Sequence, residues 1–352
     1  MTTAPTTDTE TTDTETTDTE STDQAAAGSN VHDSVLGLLP SVDNPTPMVR
    51  INRLSPRPET FTLLAKLEWH NPFGSVKDRA AASIIADLEE RGELGPDRPG
   101  RGIVEPTSGN TGLSMAAIAA AKGYPMRAVM PNKVPLEKKL LLKIAGAEID
   151  VVRDDLCPTP GAGDGSINLA RTHARANREG YAMPNQYENR ANVEAHIRTT
   201  GPEILKQTAG KVTHVFTSLG TCGTVSGCAT FLKEQNPEIK IIAVQPSEGH
   251  DVPGLRNVGQ LDVTTLYDPD LIDEILEIEH EKAYPTALEL ARNEGLLAGP
   301  SSGLIFEGAR RVIERDGAEG LGVMIFCDDA FKYTNNFAKH VPELLENTTP
   351  RG

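Results

Sequence analysis

From Val49 onward, short apolar runs bounded by Gly and Pro alternate with amphipathic stretches of helical period. That alternation restricts the chain to βα units, in which strands pair in parallel and helices cover the sheet, so the fold class is α/β. Strands are predicted at Gly102 to Glu105, Met126 to Met130, Glu148 to Val152, His214 to Ser218, Ile239 to Val244 and Gly322 to Cys327. Helices are predicted at Val76 to Arg91, Gly112 to Lys122, Leu136 to Ala145, Ala191 to Lys206, Val225 to Asn236, Ala283 to Asn293 and Leu304 to Arg315, where apolar residues recur at helical spacing. Residues 153–166 carry the polar string LCPTPGAGDG and read as an inserted surface loop. The expected organisation is an acidic tail over residues 1–30, an N-terminal α/β domain over 31–186, a C-terminal α/β domain over 187–345 and a short tail over 346–352, with no appended regulatory domain.

With 352 residues, 38% of them hydrophobic and 24% charged, the chain can bury two domain cores and reads as a soluble globule. Its apolar runs are broken before about 18 positions, and no basic stretch followed by an apolar one opens the chain, so a cytoplasmic protein without membrane contact is expected. The four cysteines, Cys157, Cys222, Cys228 and Cys327, have neither the spacing of a zinc site nor that of a disulfide framework, so no metal is expected. A formal net charge of -16 repels phosphate backbones and argues against nucleic acid as a partner. Part of that charge is local. Thr6 to Asp23 repeats TTDTE without a large apolar residue, which predicts disorder, and removing its seven acids leaves the body at about -9. Such a tail fits a solubility-promoting extension, and the acidic body is compatible with a salt-adapted host.

Four segments carry the chemistry. In NPFGSVKDR, Asn71 to Arg79, Pro72 and Gly74 turn the chain into a helix with Lys77 in its first turn. The positive end of a helix disfavours a cation by about 0.3–1 kcal/mol and lowers the ammonium pKa. A neutral amine is what Schiff-base formation with an aldehyde requires. In EPTSGNTG, Glu105 to Gly112, a strand runs into a helix through a turn whose N–H groups and hydroxyls, from Thr107, Ser108 and Thr111, can converge on a carboxylate, with Asn110 inside. SLGTCGTVSG, Ser218 to Gly227, repeats the strand, glycine loop and helix order, and its amides can close on a phosphate with Thr221 and Thr224 as added donors. No P-loop lysine accompanies it, so a resident cofactor phosphate suits it better than a magnesium nucleotide. In GPSSG, Gly299 to Gly303, either serine can face a ring nitrogen or cap the following helix. Taken singly, each segment is also compatible with a surface lysine, an ordinary turn or a helix cap.

In this order and spacing the four segments resemble the fold-type II pyridoxal-phosphate (PLP) family, in its cysteine synthase and cystathionine β-synthase branch, over about residues 40–338. The resemblance implies two three-layer αβα domains with mostly parallel sheets, bound PLP and a homodimer. It implies that Lys77 is the Schiff-base lysine, that Asn110 meets the cofactor's ring hydroxyl, and that Gly220, Thr221, Cys222, Gly223 and Thr224 hold its phosphate. Ser301 then matches the residue facing the pyridine nitrogen, and Thr107, Ser108, Thr111 and Gln186, the last within QYENRAN, match the α-carboxylate subsite. The implied reaction is β-replacement: the released Lys77 takes the Cα proton, a group leaves Cβ, and a sulfur nucleophile adds there. A serine rather than a carboxylate at the pyridine nitrogen agrees with replacement rather than transamination.

The chain departs from the family pattern at three places. Cys222 stands where a glycine is frequent, DNPTP (Asp43 to Pro47) replaces a glycine-asparagine turn, and FCDDAFKY carries Asp329 in place of a small residue, bringing a carboxylate that either approaches the ring or points away. The phosphate could move the Cys222 thiol in either direction. PGLRN, Pro253 to Asn257, resembles the stretch that supplies an arginine to the phosphate of O-phosphoserine and so nominates Arg256, although the same wording occurs in users of O-acetylserine. The leading expectation is an L-cysteine or S-substituted cysteine synthase. Alternatives are a cystathionine β-synthase-like or amine-condensing enzyme, a β-lyase, and a catalytically silent PLP protein that docks on a partner.

Overall fold

Strands that are apolar on both faces demand helices on both sides, and the chain supplies them around two sheets. The computed structural model describes residues 1–2, 31–107, 109–153 and 165–346. Residues 3–30 of the predicted tail, Ser108, residues 154–164 with Cys157, and residues 347–352 lie outside the described residues. The chain separates into Met1–Asp33 and Ser34–Gly352, and every element described below belongs to the second unit.

The strands in chain order are β1 (Met48–Arg50), β2 (Phe61–Leu67), β3 (Gly102–Pro106), β4 (Met126–Pro131), β5 (Glu148–Val152), β6 (Tyr181–Ala182), β7 (His214–Ser218), β8 (Lys240–Pro246), β9 (Glu274–Ile278) and β10 (Gly320–Phe326). Four of them form a parallel sheet in the order β5-β4-β3-β6, and six form a larger sheet in the order β1-β2-β10-β7-β8-β9, antiparallel only between β1 and β2. The predicted division at residue 186 does not follow the sheets. β2 pairs along its length with β10, from Phe61 opposite Gly320 to Leu67 opposite Phe326. The physical reason is coverage: without β2, β10 would be a bare edge, and Phe61, Leu63, Ala65 and Leu67 would lose the core they share with it.

Helices α1 (Lys77–Glu90), α2 (Asn110–Lys122), α3 (Leu136–Ile144), α4 (Gly165–Ala176), α5 (Ala191–Ala195), α6 (Gly201–Gln207), α7 (Gly223–Gln235), α8 (Ala283–Glu294), α9 (Pro300–Asp316) and α10 (Thr334–His340) fill the layers. Alternation along the strands decides which helix each residue meets. On the large sheet Val215, Ile241 and Val323 pack with Val225 and Leu232 of α7, whereas their neighbours Phe216, Ile242 and Met324 pack with Ile305, Phe306 and Val312 of α9. On the small sheet α1 and α2 cover one face through Ile84, Leu88, Met115 and Ile118, and Ala170 of α4 packs on Val104 and Val129. The helix predicted over Ala191 to Lys206 is broken by a π-helical turn, His196–Thr200, between α5 and α6. No helix among the described residues is long and apolar enough to cross a membrane.

A charged cluster lies where the two sheets' helices meet. Lys66 on β2, Glu68 just beyond it, Arg79 on α1 and Glu203 on α6 are buried with side-chain exposures of 0–1%. Arg79 bonds Glu68 at 2.7 Å and Glu203 at 2.5 Å, and Lys66 bonds Glu203 at 2.7 Å. Thr46 of the DNPTP segment and Asn71 of the NPFGSVKDR turn complete the shell of Glu68 at 2.7 and 2.9 Å. Burial by itself would push the Glu68 carboxyl up, but Arg79, Lys66 and Thr46 outweigh it and hold it at about 2. Arg79→Ala leaves two carboxylates to share Lys66 in a dry site, so the unfolding free energy should fall by about 3–5 kcal/mol, read as a lower urea midpoint.

Candidate active site

The carboxyl ends of parallel strands are where α/β proteins place ligands, because loops and helix N-termini meet there. Here Thr107 follows β3, Pro131 ends β4, Ser218 ends β7, and Cys327 and Asp328 follow β10, all lining one cavity of about 690 Å³. The cavity also receives Lys77, Asn110, Thr111, Gln186, Gly220, Thr221, Cys222, Thr224, Arg256 and Ser301. Gly223 starts α7 at its edge, and Ser108 lies outside the described residues. Apart from Gly223 and Ser108, the residues that the sequence nominated from six separate segments therefore share one space.

Lys77 begins α1, as the turn chemistry predicted, and three contacts hold that turn. The Asp78 carboxylate accepts from Phe73 N at 2.7 Å and from Ser114 Oγ at 2.5 Å, and Val76 N donates to Cys327 O at 2.9 Å. Burial drives the Lys77 ammonium below the ordinary lysine range, against the pull of Cys327, Cys222 and Asp328.

The glycine loop is tight because neighbouring groups occupy the space a side chain would need. A Cβ at Gly220 would lie 2.8 Å from Gly254 O, and one at Gly223 would lie 2.1 Å from Asn192 Oδ1. Thr221 Oγ1 accepts from Asn192 Nδ2 at 3.0 Å, which leaves its own O–H to donate. Thr224 Oγ1 lies 3.2 Å from His196 Nε2, and burial, with Arg79 and Lys77 nearby, holds that imidazole neutral by lowering its pKa to about 3. Cys222 adopts φ +69, a left-handed conformation that explains why glycine suits this position. Burial pushes its thiol pKa up to about 12, against the pull of Lys77 and Arg256.

Gln186 sits at a junction that sequence reasoning did not find. Its backbone N–H and that of Asn185 donate to Glu105 at 3.1 and 2.8 Å, its carbonyl accepts from Asn192 Nδ2 at 2.8 Å, and its Oε1 accepts from Thr111 Oγ1 at 2.7 Å. Glu105, Gln186, Asn192 and Thr221 thus form one chain of bonds between the nest after β3 and the glycine loop. Glu105 and Asn192 both lie inside motifs read from the sequence, yet only pairing in space shows what they do.

The remaining nominated residues are distributed as follows. Ser301 lies in the first turn of α9 and faces the cavity, while Ser302 Oγ is buried without a partner. Arg256 is buried, with its guanidinium 5.4 Å from the Tyr187 ring centre and 3.3 Å from the Tyr187 hydroxyl. Asp329 turns to cap Phe331 N at 2.9 Å, so the carboxylate that lines the cavity is its neighbour, Asp328. Among the described residues no group of acidic, histidine and cysteine side chains could hold a metal ion.

The family described as "Pyridoxal-phosphate dependent enzyme" matches residues 41–328. Cysteine synthase B of Escherichia coli is 39% identical over 82% of this chain and 91% of its own length, and cysteine synthase of Aquifex aeolicus is 36% identical over 82% and 88%. Among solved structures, O-ureido-L-serine synthase superposes with a TM-score of 0.78 at 30% identity, covering 92% of this chain and 98% of that one. A cysteine synthase of Entamoeba histolytica superposes with a TM-score of 0.78 at 28% identity, covering 95% and 96%.

Burial pushes Glu105 up to about 7, against the donors from Gln186 and Asn185. Because this lies above the ordinary value of 4.5, the folded chain binds the proton more tightly than the unfolded one, and stability drains away as pH rises through that window. Glu105→Gln lacks the titration. Between the two pKa values wild type should lose up to about 3 kcal/mol relative to the variant, read by urea unfolding at stepped pH; parallel pH curves would reject the assignment.

Proposed function

Because the chain belongs to the family of pyridoxal-phosphate-dependent enzymes, we propose that it catalyses β-replacement on an activated L-serine, exchanging its leaving group for sulfide to give L-cysteine. The observation that carries this reading is the meeting of Lys77, the glycine loop and Arg256 in one cavity.

The residues present fit the cofactor. The loop over 220–224 has no room for a Cβ at either glycine, because Gly254 O and Asn192 Oδ1 already occupy that space; it opens the positive end of α7, and the Thr221 and Thr224 hydroxyls supplement its N–H groups. Asn110 would meet the ring hydroxyl, and Ser301 the ring nitrogen, where a neutral hydroxyl does not force protonation. Bound PLP supplies the electron sink that acidifies the Cα–H of an attached amino acid.

The chain's own groups do the rest. Lys77 would hold the cofactor, and its neutral amine, when free, takes the Cα proton at Nζ and gives a proton back to Cα at the end. Thr111 donates to Gln186 Oε1 and Gln186 Nε2 donates one hydrogen to Pro106 O at 3.4 Å, which turns the second Nε2 hydrogen to the substrate carboxylate beside the Thr107 hydroxyl, with Thr111 fixing the amide's orientation. The bond from Cβ to the leaving group breaks, and a bond from Cβ to sulfur forms. Arg256, stacked on Tyr187 and buried, receives the leaving group, and Lys133 and Lys138 line the same cavity, where Lys339 is paired with Asp251. This concentration of cations on a chain of net charge -16 favours the dianionic phosphate of O-phosphoserine over the neutral acetyl of O-acetylserine. By family likeness the enzyme works as a cytoplasmic homodimer, which light scattering after gel filtration tests.

Lys77→Ala should abolish both turnover and the absorbance of covalently held cofactor; normal activity in that variant would sink the reading. Arg256→Ala should lower kcat/KM for O-phosphoserine by about 10- to 100-fold and for O-acetylserine by less than about threefold. Equal losses with the two donors would remove Arg256 from the leaving-group subsite.

A further inference from the structure

An asparagine amide has two ends of nearly the same shape and opposite chemistry, and only its hydrogen-bond partners decide which end a ligand meets. At Asn110 that partner is a carboxylate. We propose that Asp328 is the positioning residue for Asn110: its Oδ2 accepts from Asn110 Nδ2 at 2.6 Å and from the Tyr333 hydroxyl at 2.5 Å, and so fixes the orientation of the amide that faces the cavity. The proposal rests on the reading that Asn110 meets the ring hydroxyl of PLP, and it assigns a role to a residue that the sequence did not single out.

The carboxylate has little freedom to do anything else. Asp328 is 2% exposed. Its backbone carbonyl accepts from Gly299 N at 3.0 Å, the carbonyl before it accepts from Val76 N at 2.9 Å, and it bridges Ser75. A Cβ at position 299 would lie 2.2 Å from Asp328 Oδ1, so only glycine leaves room for the carboxylate. Oδ1 is buried without a hydrogen-bond partner, and the two donors share Oδ2. An acceptor-only group thereby selects the NH₂ end of the amide and leaves its second hydrogen for the cavity. A serine or threonine hydroxyl at 328, able to donate or accept, would not impose that choice. Because Oδ2 accepts whether or not Oδ1 carries a proton, an asparagine at 328 can replace the function through its own carbonyl.

The test uses purified holoenzyme in four forms besides wild type: Asp328→Ala, Asp328→Asn, Asn110→Ala, and the double Asp328→Ala, Asn110→Ala. The bound-cofactor absorbance spectrum and the rate of PLP loss into cofactor-free buffer are recorded for each, with thermal unfolding as the control for fold. Asp328→Ala should reproduce the spectral change of Asn110→Ala and speed PLP loss about tenfold, the size of one good hydrogen bond. The double variant should lose PLP no faster than Asn110→Ala alone, because both substitutions remove one interaction. Asp328→Asn should keep the wild-type spectrum and a loss rate within about twofold. The proposal is overturned by wild-type behaviour in Asp328→Ala, by effects that multiply in the double variant, or by an Asp328→Asn as defective as Asp328→Ala. If Asp328→Ala does not fold, Asp328→Leu keeps the volume, removes the acceptors and carries the same expectations. A wild-type protein without a cofactor band would overturn the proposed function as well, which separates the two failures.

Discussion

Four charges that cannot be left without partners in a dry interior hold the working end of the molecule in register. Arg79 satisfies Glu68 and Glu203 only if α1, the segment after β2 and α6 come together, and Lys66 adds β2 to the same set. Removing any one member leaves another uncompensated, so the geometry is all-or-none in character. Lys77 lies two residues before Arg79, about 200° round the helix. Fixing Arg79 on one side of α1 therefore points Lys77 to the other, where the cavity is.

Two further sets of bonds work with that cluster. The chain end of β10 ties the turn before Lys77 to the start of α9, through Val76 N to Cys327 O and Gly299 N to Asp328 O, so the lysine and Ser301 are referred to one strand. The Glu105, Gln186, Asn192 and Thr221 chain does the same for the nest after β3 and the glycine loop. The groups that line the cavity sit on loops and in the first turns of helices, and each such segment is bonded to another. Precision here comes from loop-to-loop bonding as much as from the sheets beneath.

Much of this was legible because it is local. Glu148 to Val152 and His214 to Ser218 are strands with the bounds read from the sequence, since each is a short run closed by polar residues or glycine. The Lys77 turn and the two loop-to-helix nests were legible for the same reason: Pro, Gly and hydroxyl residues dictate backbone geometry within a few positions. What depends on partners far along the chain was not. β2 looks like part of an N-terminal domain until its pairing with β10, more than 250 residues later, is seen. The π turn at His196 interrupts a stretch of helical period, and its imidazole meets Thr224 of α7, a contact 28 residues along the chain. In FCDDAFKY the two adjacent carboxylates are indistinguishable as letters. Packing against Gly299 and bonding to Asn110 separate Asp328 from Asp329.

The two thiols in the cavity wall have a consequence for self-inflicted damage. Burial holds Cys222 at about 12 and Cys327 at about 11. At neutral pH the fraction of either present as thiolate is on the order of one in ten thousand or less. An enzyme that prepares a carbon for attack by sulfur is exposed to alkylation by its own sulfur, and both side chains line the cavity. Kept protonated, they remain spectators, and peroxides find almost no thiolate there to oxidise.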